Sequence, residues 1–460
     1  MGLFGSIYVG YSGVNSQTRG MRVAADNIAN LNTTGFKGAR ALFEDLLAEV
    51  TGEVWPRKKG LGSLVKDIDI NFSSGAITAT DIPTDLAIMG KGFFVVQDAQ
   101  GNTFFTRDGQ FLLEETGTGT LRMVSPAGYR LLGAAPDATP SALTALSPLE
   151  IPRSIPGRGT EIVHLEMNLD ARKETEETPR SLLEAWDAAN DPPISTQDYE
   201  FVTTLTIYDT TGVSHNLNLY FDTTDQNNQY EMLLTLADPT EDRRGTGRYA
   251  GALLWGTLNF GARGDISSAE FYSVDPSGAL TPLDLNTLGR PQFTVNFTGE
   301  PQTITLDLGF YYQDGSLVRT PQSIHLYGAP FAVYYQDQDG YPPGLFDRVE
   351  IDHEGMVRAF YTNQQKLEVG RIFLADFTGV EDVLERAGAN LFRAKDITLA
   401  QLVAPGRTSA ATLNSGALEE SNVDLATEMV NLITLQRAFQ SNARVITTAD
   451  QMLEDFLRIR

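Results

Sequence analysis

The chain has 460 residues, with 59 acidic and 35 basic side chains and a formal net charge of −24 at pH 7. So acidic a chain is poorly suited to bind nucleic acid, and the absence of cysteine excludes disulfides, thiolate metal sites and cysteine nucleophiles. No apolar run reaches the roughly 18–20 residues that span a bilayer, and the N-terminus shows no cleavable secretory signal. The length predicts about three domains.

The first predicted element is a helix with apolar side chains at seven-residue spacing. Such a repeat holds one apolar stripe toward a partner helix, as in a coiled coil. Gly10, Gly13 and Gly20 lie beside the stripe, so we expect a weak helix that folds only when a neighbour covers it. The stripe consists of Ile7, Val14, Met21 and Ile28.

Alternating apolar residues then predict β-structure in two similar stretches, at about 71–149 and 331–395. In the first, Asp108-Gly109 stands between two apolar runs, which predicts a hairpin turn. Between the two stretches, residues 150–330 carry 26 acidic and 11 basic side chains, a net charge of −15. Regularly spaced short strands there are typical of a sandwich or barrel.

Within this acidic region, Leu205 and Ile207 alternate before an Asp209–Gly212 turn, and apolar alternation resumes from Leu217. This pattern predicts a hairpin. Residues 171–199, which are rich in acidic residues and proline, are expected to form a surface excursion with a short helix.

The chain ends on a second helix with the same seven-residue spacing. Ser421 and Asn422 are good N-cap residues and Asp424 would lie in the first turn, so the helix should begin there and run almost to Arg460. Because both ends carry the repeat, we predict that they pack together; the alternative is two amphipathic helices against local cores. The second stripe consists of Leu425, Leu432, Phe439, Ile446 and Leu453.

Motifs that carry chemistry are missing from the sequence. The four histidines, at positions 164, 215, 325 and 353, lack metal-ligand spacing. Asp337–Gly340 resembles the middle of a calcium loop, but Tyr335 and Phe346 occupy two of its ligand positions. Acidic pairs such as Asp222 and Asp225 are better explained by a solvated acidic face than by a glycosidase site. We therefore predict no enzyme activity, cofactor or metal.

Long ordered motifs at both ends resemble those of the bacterial flagellar rod and hook axial proteins. Residues 26–37 resemble the N-terminal signature of that family, and residues 418–425 resemble its C-terminal signature. Residues 85–94 and 106–111 are similar to its first β domain, and residues 205–217 and 256–260 to the outer domain of its hook members. The signature residues that we carry over are Asn27, Asn30, Asn32, Thr33, Gly35, Phe36, Lys37, Ser421, Asn422, Val423 and Asp424.

The resemblance implies an α+β, multidomain fold in which both chain ends form an inner helical coiled-coil domain and two mainly β domains are nested between them. The expected boundaries are 1–33 with 416–460 for the helical domain, 34–70 with 396–415 for connecting segments, 71–149 with 331–395 for the inner β domain, and 150–330 for the outer acidic β domain.

The resemblance further implies a structural subunit that assembles into the curved tube of the flagellar hook, a universal joint between rod and filament. Its expected partners are copies of itself, the rod, hook-cap and hook–filament junction proteins, and the type III export apparatus, which would export the chain unfolded to an extracellular hook. A distal rod component and a secreted carbohydrate-active or adhesive β protein remain the alternatives; the latter leaves both heptad ends unexplained.

Overall fold

The computed structural model describes residues 3–50, 57–173, 180–313, 315–406 and 411–458. The chain folds into two compact units. The first unit contains both chain ends and consists of Met1–Arg153, Phe346–Tyr361 and Gln365–Arg460; the second unit consists of Ser154–Leu345 and Thr362–Gln364. Part of the predicted excursion, residues 174–179, lies outside the described residues.

The described part of the chain contains two long terminal helices and three single-turn helices. They are α1 (Leu3–Ala29), α2 (Leu182–Ala185), α3 (Leu285–Leu288), α4 (Val380–Val383) and α5 (Leu425–Arg458). Short 3₁₀ turns occur at Leu143–Ala145, Pro239–Glu241 and Ile397–Leu399. The fold is thus multidomain and mostly β, with long helices at its two ends.

The first eleven strands belong to the first unit. They are β1 (Ala39–Val50), β2 (Arg57–Ile70), β3 (Ile77–Ala79), β4 (Leu86–Gly90), β5 (Phe93–Gln97), β6 (Thr103–Thr106), β7 (Leu112–Glu115), β8 (Thr120–Val124), β9 (Arg130–Ala134), β10 (Ser147–Pro148) and β11 (Glu150–Pro152). Residues 34–70, expected as a connecting segment, instead contain the long antiparallel β1–β2 hairpin, which runs from Ala39↔Ile70 to Val50↔Arg57.

The next fourteen strands build the second unit. They are β12 (Ser154–Ile155), β13 (Ile162–Asp170), β14 (Phe201–Tyr208), β15 (Ser214–Thr223), β16 (Gln229–Leu236), β17 (Ala252–Phe260), β18 (Ile266–Val274), β19 (Leu280–Pro282), β20 (Gln292–Val295), β21 (Gln302–Asp307), β22 (Phe310–Gln313), β23 (Ser316–Arg319), β24 (His325–Tyr327) and β25 (Ala332–Gln338).

The last nine strands are mainly part of the first unit. They are β26 (Gly344–Ile351), β27 (Met356–Tyr361), β28 (Lys366–Ile372), β29 (Leu374–Phe377), β30 (Leu384–Gly388), β31 (Leu391–Ala394), β32 (Ala400–Val403), β33 (Ala411–Ser415) and β34 (Ala417–Glu419).

Strands from the two halves of the first unit pair with each other. β28 pairs with β9, β29 with β5 and β31 with β6, all antiparallel. Nearer the helices, β3 pairs with β34 and β4 with β33. The core contains Phe93, Phe105 and Phe377, whose rings meet edge to face. The middle of the chain therefore leaves and re-enters one β domain.

The second unit has two main sheets and the two-stranded β22–β23 sheet, which share one apolar core. β14 to β19 form an antiparallel meander, and the predicted hairpin at Asp209–Gly212 is confirmed by the β14–β15 pairing. The other sheet has the order β20-β21-β13-β24. In the same sheet, β25 pairs antiparallel with β13. Because β25 pairs with β13, residues 331–345 belong to this unit, beyond the expected boundary at 330.

One sequence prediction in the first unit is wrong. Asp108-Gly109 is not a hairpin turn, because β6 pairs with β5 and β31 while β7 pairs with β8. The segment instead crosses β4, where Leu86 N donates to Gly109 O at 3.0 Å. A side chain at position 109 would meet Leu86 O at 1.6 Å, so glycine is required by this close approach.

Candidate assembly site

The helices at the two chain ends pack against each other in the first unit. Gly10 lies against Ile446, and Gly20 lies against Leu435. Residues later in α1 therefore contact residues earlier in α5, so the two helices are antiparallel. This close pairing agrees with the prediction that the two ends pack together, while coiled-coil geometry stays a prediction.

Small side chains form the most deeply buried face of α1. A Cβ at Gly10 would lie 2.8 Å from Ile446 Cγ1 and 3.3 Å from Asn442 O, and one at Gly13 would lie within 2.6–2.8 Å of the Asn442 side chain. The absence of these side chains lets the two backbones approach closely. The buried face consists of Gly10, Gly13, Ser16, Gly20, Ala24 and Asn27.

The predicted apolar stripes are mostly half-buried, and Ile446 of the second stripe lies against Gly10 in the contact. Eight of the nine predicted packing residues are half-buried: Ile7, Val14, Met21, Ile28, Leu432, Phe439, Ile446 and Leu453. Leu425, in contrast, is 43% exposed. It is the first residue of α5, so its predicted burial between the helices is not seen in the single chain.

Asp424 caps the C-terminal helix, two or three residues later than the predicted caps Asn422 and Ser421. Its Oδ1 accepts hydrogen bonds from Thr427 N at 2.8 Å and Thr427 Oγ1 at 2.7 Å. The Thr427 hydroxyl and amide lower the pKa of Asp424, so the carboxylate stays charged at the positive end of the helix dipole. Ser421 and Asn422 lie before the helix.

The N-terminal signature folds into a turn that redirects the chain after α1. Asn27, which is buried, closes the turn because its Nδ2 donates to Ala39 O at 2.7 Å and its Oδ1 accepts from Ala39 N at 2.9 Å. Asn30 Oδ1 accepts from Thr33 Oγ1 at 3.1 Å. Gly35 has a φ of 65°, and a Cβ there would lie 2.6 Å from Arg107 O. Asn32 is exposed.

The C-terminal signature joins this turn through Asn422. Its Oδ1 accepts from Gly38 N at 2.7 Å, and its Nδ2 donates to Asn71 O at 2.8 Å and Ser73 O at 2.9 Å. Val423 lies beside Gly38, with its Cγ2 at 3.1 Å from a Cβ built there. One side chain therefore satisfies backbone groups from two separate segments.

A buried ionic cluster joins the two signatures below the helices. Glu419 Oε1 accepts from Lys37 Nζ at 2.5 Å, and Glu419 Oε2 accepts from Arg107 Nη1 at 3.1 Å. The side chains of Lys37 and Glu419 are fully buried, and that of Arg107 is 4% exposed. Gly35 N also donates to Glu419 O at 2.6 Å. We call Lys37, Arg107 and Glu419 the Glu419 cluster.

Burial dominates the electrostatics of the Glu419 cluster. It lowers the pKa of Lys37 and of Arg107, because the charged forms lose their hydration, and the attraction of Glu419 offsets this only in part. Burial likewise raises the pKa of nearby Asp108. Lys37 is one of the predicted signature residues, whereas Arg107 and Glu419 are not among the predicted site residues. No spacing rule could have paired them, since they are 312 positions apart.

The described residues contain no candidate metal-binding cluster and no candidate membrane-spanning helix. Among them, no group of three or more histidine, aspartate or glutamate side chains is arranged to hold a metal ion, and no helix is long and apolar enough to span a membrane. His215 illustrates a structural role: its ring stacks on Phe297 at 3.6 Å, and its Nδ1 lies 2.8 Å from Glu241.

Four protein domain families match successive parts of the chain. The "Flagella basal body rod protein" family matches residues 7–37, and the "Flagellar hook protein FlgE/F/G D1 domain" matches residues 87–163. The "Flagellar basal body protein FlaE D2 domain" matches residues 168–341, and "Flagellar basal body rod FlgEFG protein C-terminal" matches residues 414–459. The two end matches cover α1 and α5, and the third falls within the second unit.

Whole-length relatives carry the same description. The flagellar hook protein FlgE of Treponema pallidum is 31% identical over 481 residues, covering 99% of both chains. That of Salmonella typhimurium is 30% identical over 455 residues, covering 98% of both. The crystal structure of the Helicobacter pylori flagellar hook protein FlgE2 matches 73% of this chain and 99% of its own, at 15% identity and a TM-score of 0.37.

Similarity at this level extends from the first helix to the last and includes the middle unit, which disfavours the alternative of a rod component. The chain belongs to the flagellar hook protein family and is a structural subunit of the bacterial flagellar hook.

Proposed function

We propose that α1 and α5 are the polymerising surface of this subunit, and that copies of the chain assemble through them into the curved tube of the hook. The observation that carries the proposal is a set of apolar side chains on both helices that the other described residues leave exposed. Its largest exposed members are Tyr8, Tyr11, Met429, Val430, Ile433, Val445 and Met452.

The exposed residues lie apart from the contact between the two helices. α5 places Leu435 and Ile446 against α1, whereas Val430, Val445 and Met452 are exposed. α5 thus has apolar residues on more than one side, as expected of a helix surrounded by others. Several large exposed apolar side chains on the same helices favour protein–protein contact. A second copy of the same chain is the partner that a tubular polymer supplies.

We further propose which flagellar proteins the subunit contacts and how it is exported. In the hook the chain would contact rod proteins at one end and junction proteins at the other, and it would be added under a cap after export, unfolded, through the type III apparatus. The absence of cysteine suits that route, because a cysteine-free chain forms no disulfide as it passes from a reducing to an oxidising compartment.

The test is a charge placed on the uncovered face. Val430, which is 63% exposed, should tolerate aspartate in the monomer because its side chain contacts mostly solvent. Val430→Asp should therefore leave thermal unfolding of the monomer unchanged while abolishing tubes in electron micrographs, since polymer contacts would bury the charge.

Val213→Asp is the matched control. Val213 is 55% exposed and lies in the β14–β15 turn of the second unit, so the same substitution adds the same charge away from the helices. This variant should still form tubes. Normal tubes from Val430→Asp, or loss of tubes from both variants alike, would contradict the proposed surface.

A further inference from the structure

The Glu419 cluster contains more positive than negative charge. Lys37 and Arg107 both contact the one carboxylate of Glu419, and all three side chains are buried. Taken as the three groups in contact, the cluster has a net charge of +1. Burying an ammonium group removes its hydration, and a carboxylate shared with a second cation compensates this loss poorly.

Lys37 is dispensable for hydrogen bonding at this site. Its Nζ donates to two acceptors, Glu419 Oε1 and Ser73 O at 2.9 Å. Each acceptor already has a second donor: Gly75 N donates to Glu419 Oε1 at 2.8 Å, and Asn422 Nδ2 donates to Ser73 O at 2.9 Å. Removing the ammonium group therefore leaves neither acceptor without a hydrogen bond.

The partners of Glu419 come from different parts of the first unit. Arg107 and Gly75 belong to the β domain, where Glu419 itself lies in the β3–β34 pair. Lys37 follows α1 and enters the cluster only when the N-terminal segment, residues 3–38, docks onto that domain. Without the N-terminal segment, Arg107 and Glu419 would be left as a neutral pair, because both belong to the β domain. Docking adds a second cation to a carboxylate that is already paired.

We infer that Lys37 opposes docking of the N-terminal segment onto its own β domain, and so keeps that segment releasable until contacts with other copies add to its binding. The physiological purpose rests on the proposed function, whereas the docking equilibrium itself is a property of the single chain. Replacing Lys37 by the similarly long, uncharged methionine should therefore strengthen docking, although Lys37 forms the shortest ion pair in the cluster.

A disulfide reporter measures docking in the full-length monomer. The chain has no cysteine, so Gly38→Cys with Val423→Cys introduces a single thiol pair. A Cβ at position 38 lies 3.1 Å from Val423 Cγ2 when the segment is docked. In glutathione buffer, the effective concentration of this pair is proportional to the docked fraction. Measurements at several urea concentrations keep the docked fraction below saturation.

Adding Lys37→Met to the reporter should raise the effective concentration by about fivefold or more. Lys66→Met is the control, because it removes one charge from a side chain that is 66% exposed, and it should change the value by less than about twofold. Glu419→Gln should lower the value, because it leaves Lys37 and Arg107 without their carboxylate.

An unchanged or lower effective concentration in Lys37→Met, relative to Lys66→Met, would overturn the inference. Failure of Lys37→Met to fold would also overturn it, because both acceptors keep a donor. Tube formation by the proteins without the reporter cysteines is scored separately by sedimentation. Loss of tubes from the parent chain would contradict the proposed function and leave the monomer measurement intact.

Discussion

Two amide side chains, the buried Asn27 and the partly exposed Asn422, hold the two signatures in place. Asn27 binds the backbone N and O of Ala39, and Asn422 binds Gly38 N and Asn71 O. The two side chains thus provide the hydrogen-bond partners that a helix or a strand would otherwise supply to these backbone groups. The signature thus fixed these positions in advance, but not their contacts. Asn32 lies in the same signature and is exposed, so membership of a motif did not distinguish a buried contact from a surface residue.

This distinction predicts different outcomes for two asparagines. Asn422→Ala removes the partners of Gly38 N and Asn71 O, so it should lower the free energy of unfolding of the first unit by about 1–3 kcal/mol. Asn32→Ala should change it by less than about 0.5 kcal/mol. Urea unfolding followed by circular dichroism compares the two variants. Equal effects would contradict the role assigned to Asn422.

A buried aspartate should make the second unit sensitive to acid. The Asp242 carboxylate is fully buried and accepts from Arg244 Nη2 at 2.8 Å and Gly251 N at 2.9 Å. Burial alone would raise the pKa of Asp242, but the hydrogen bonds from Arg244 and Gly251 outweigh it, so the pKa lies below its usual value. Its stabilising effect is complete above the unfolded-state pKa of about 3.9 and is lost as the pH falls through the lower folded-state pKa.

Asp242→Asn should therefore destabilise the second unit by about 3 kcal/mol at pH 7 and by progressively less below pH 4. Calorimetric unfolding across this pH range makes the comparison. Asp275→Asn, at an exposed turn, is the control and should have a much smaller effect at pH 7. A difference between Asp242→Asn and the parent that is as large at pH 2 as at pH 7 would be inconsistent with this account.

At the scale of elements, periodicity predicted the two long helices and placed Ile446 on the side of α5 that meets α1, but it did not predict the face that α1 buries. The sevenfold stripes led us to expect large side chains in the contact, whereas Gly10, Gly13 and Gly20 occupy its centre on α1. A glycine in a helical sequence can indicate either a weak helix or a close approach of two helix backbones. The two cases can be distinguished only when the position of the partner helix is known. The β1–β2 hairpin was missed for a related reason, because its strands lack simple apolar alternation.

Two glycines of α1 allow helix propensity to be separated from packing. Alanine at either position favours the isolated helix by about 1 kcal/mol. At Gly10 the new methyl would meet Ile446 Cγ1 at 2.8 Å, whereas at Gly5 no atom lies within 4 Å among the described residues. Gly10→Ala should thus lower the thermal stability of the polymer, while Gly5→Ala should leave it unchanged or raise it. Scanning calorimetry of tubes distinguishes these results, and a stabilising Gly10→Ala would argue against the close helix contact.

At the scale of the whole molecule, the nested order of the chain followed from the motifs at its ends and middle. The C-terminal boundary of the second unit, expected at residue 330, did not follow from them. Nothing in the sequence of β25 distinguishes it from the strands of the first unit, and it joins the second unit through its pairing with β13. The Glu419 cluster could not be predicted from the sequence either, because its residues come from three distant segments of the chain. Long-range pairing is the information that a single sequence lacks.

The central claim is that assembly orders both chain ends together, and hydrogen exchange on monomer and polymer tests it most directly. Isolated helices with several glycines are marginal in water, so α1 and α5 should exchange rapidly in the free subunit while the β cores of both units stay protected. On polymerisation, residues 3–29 and 425–458 should become protected together. Strong protection of both helices in a verified monomer, or protection of only one of them in the tube, would contradict the account.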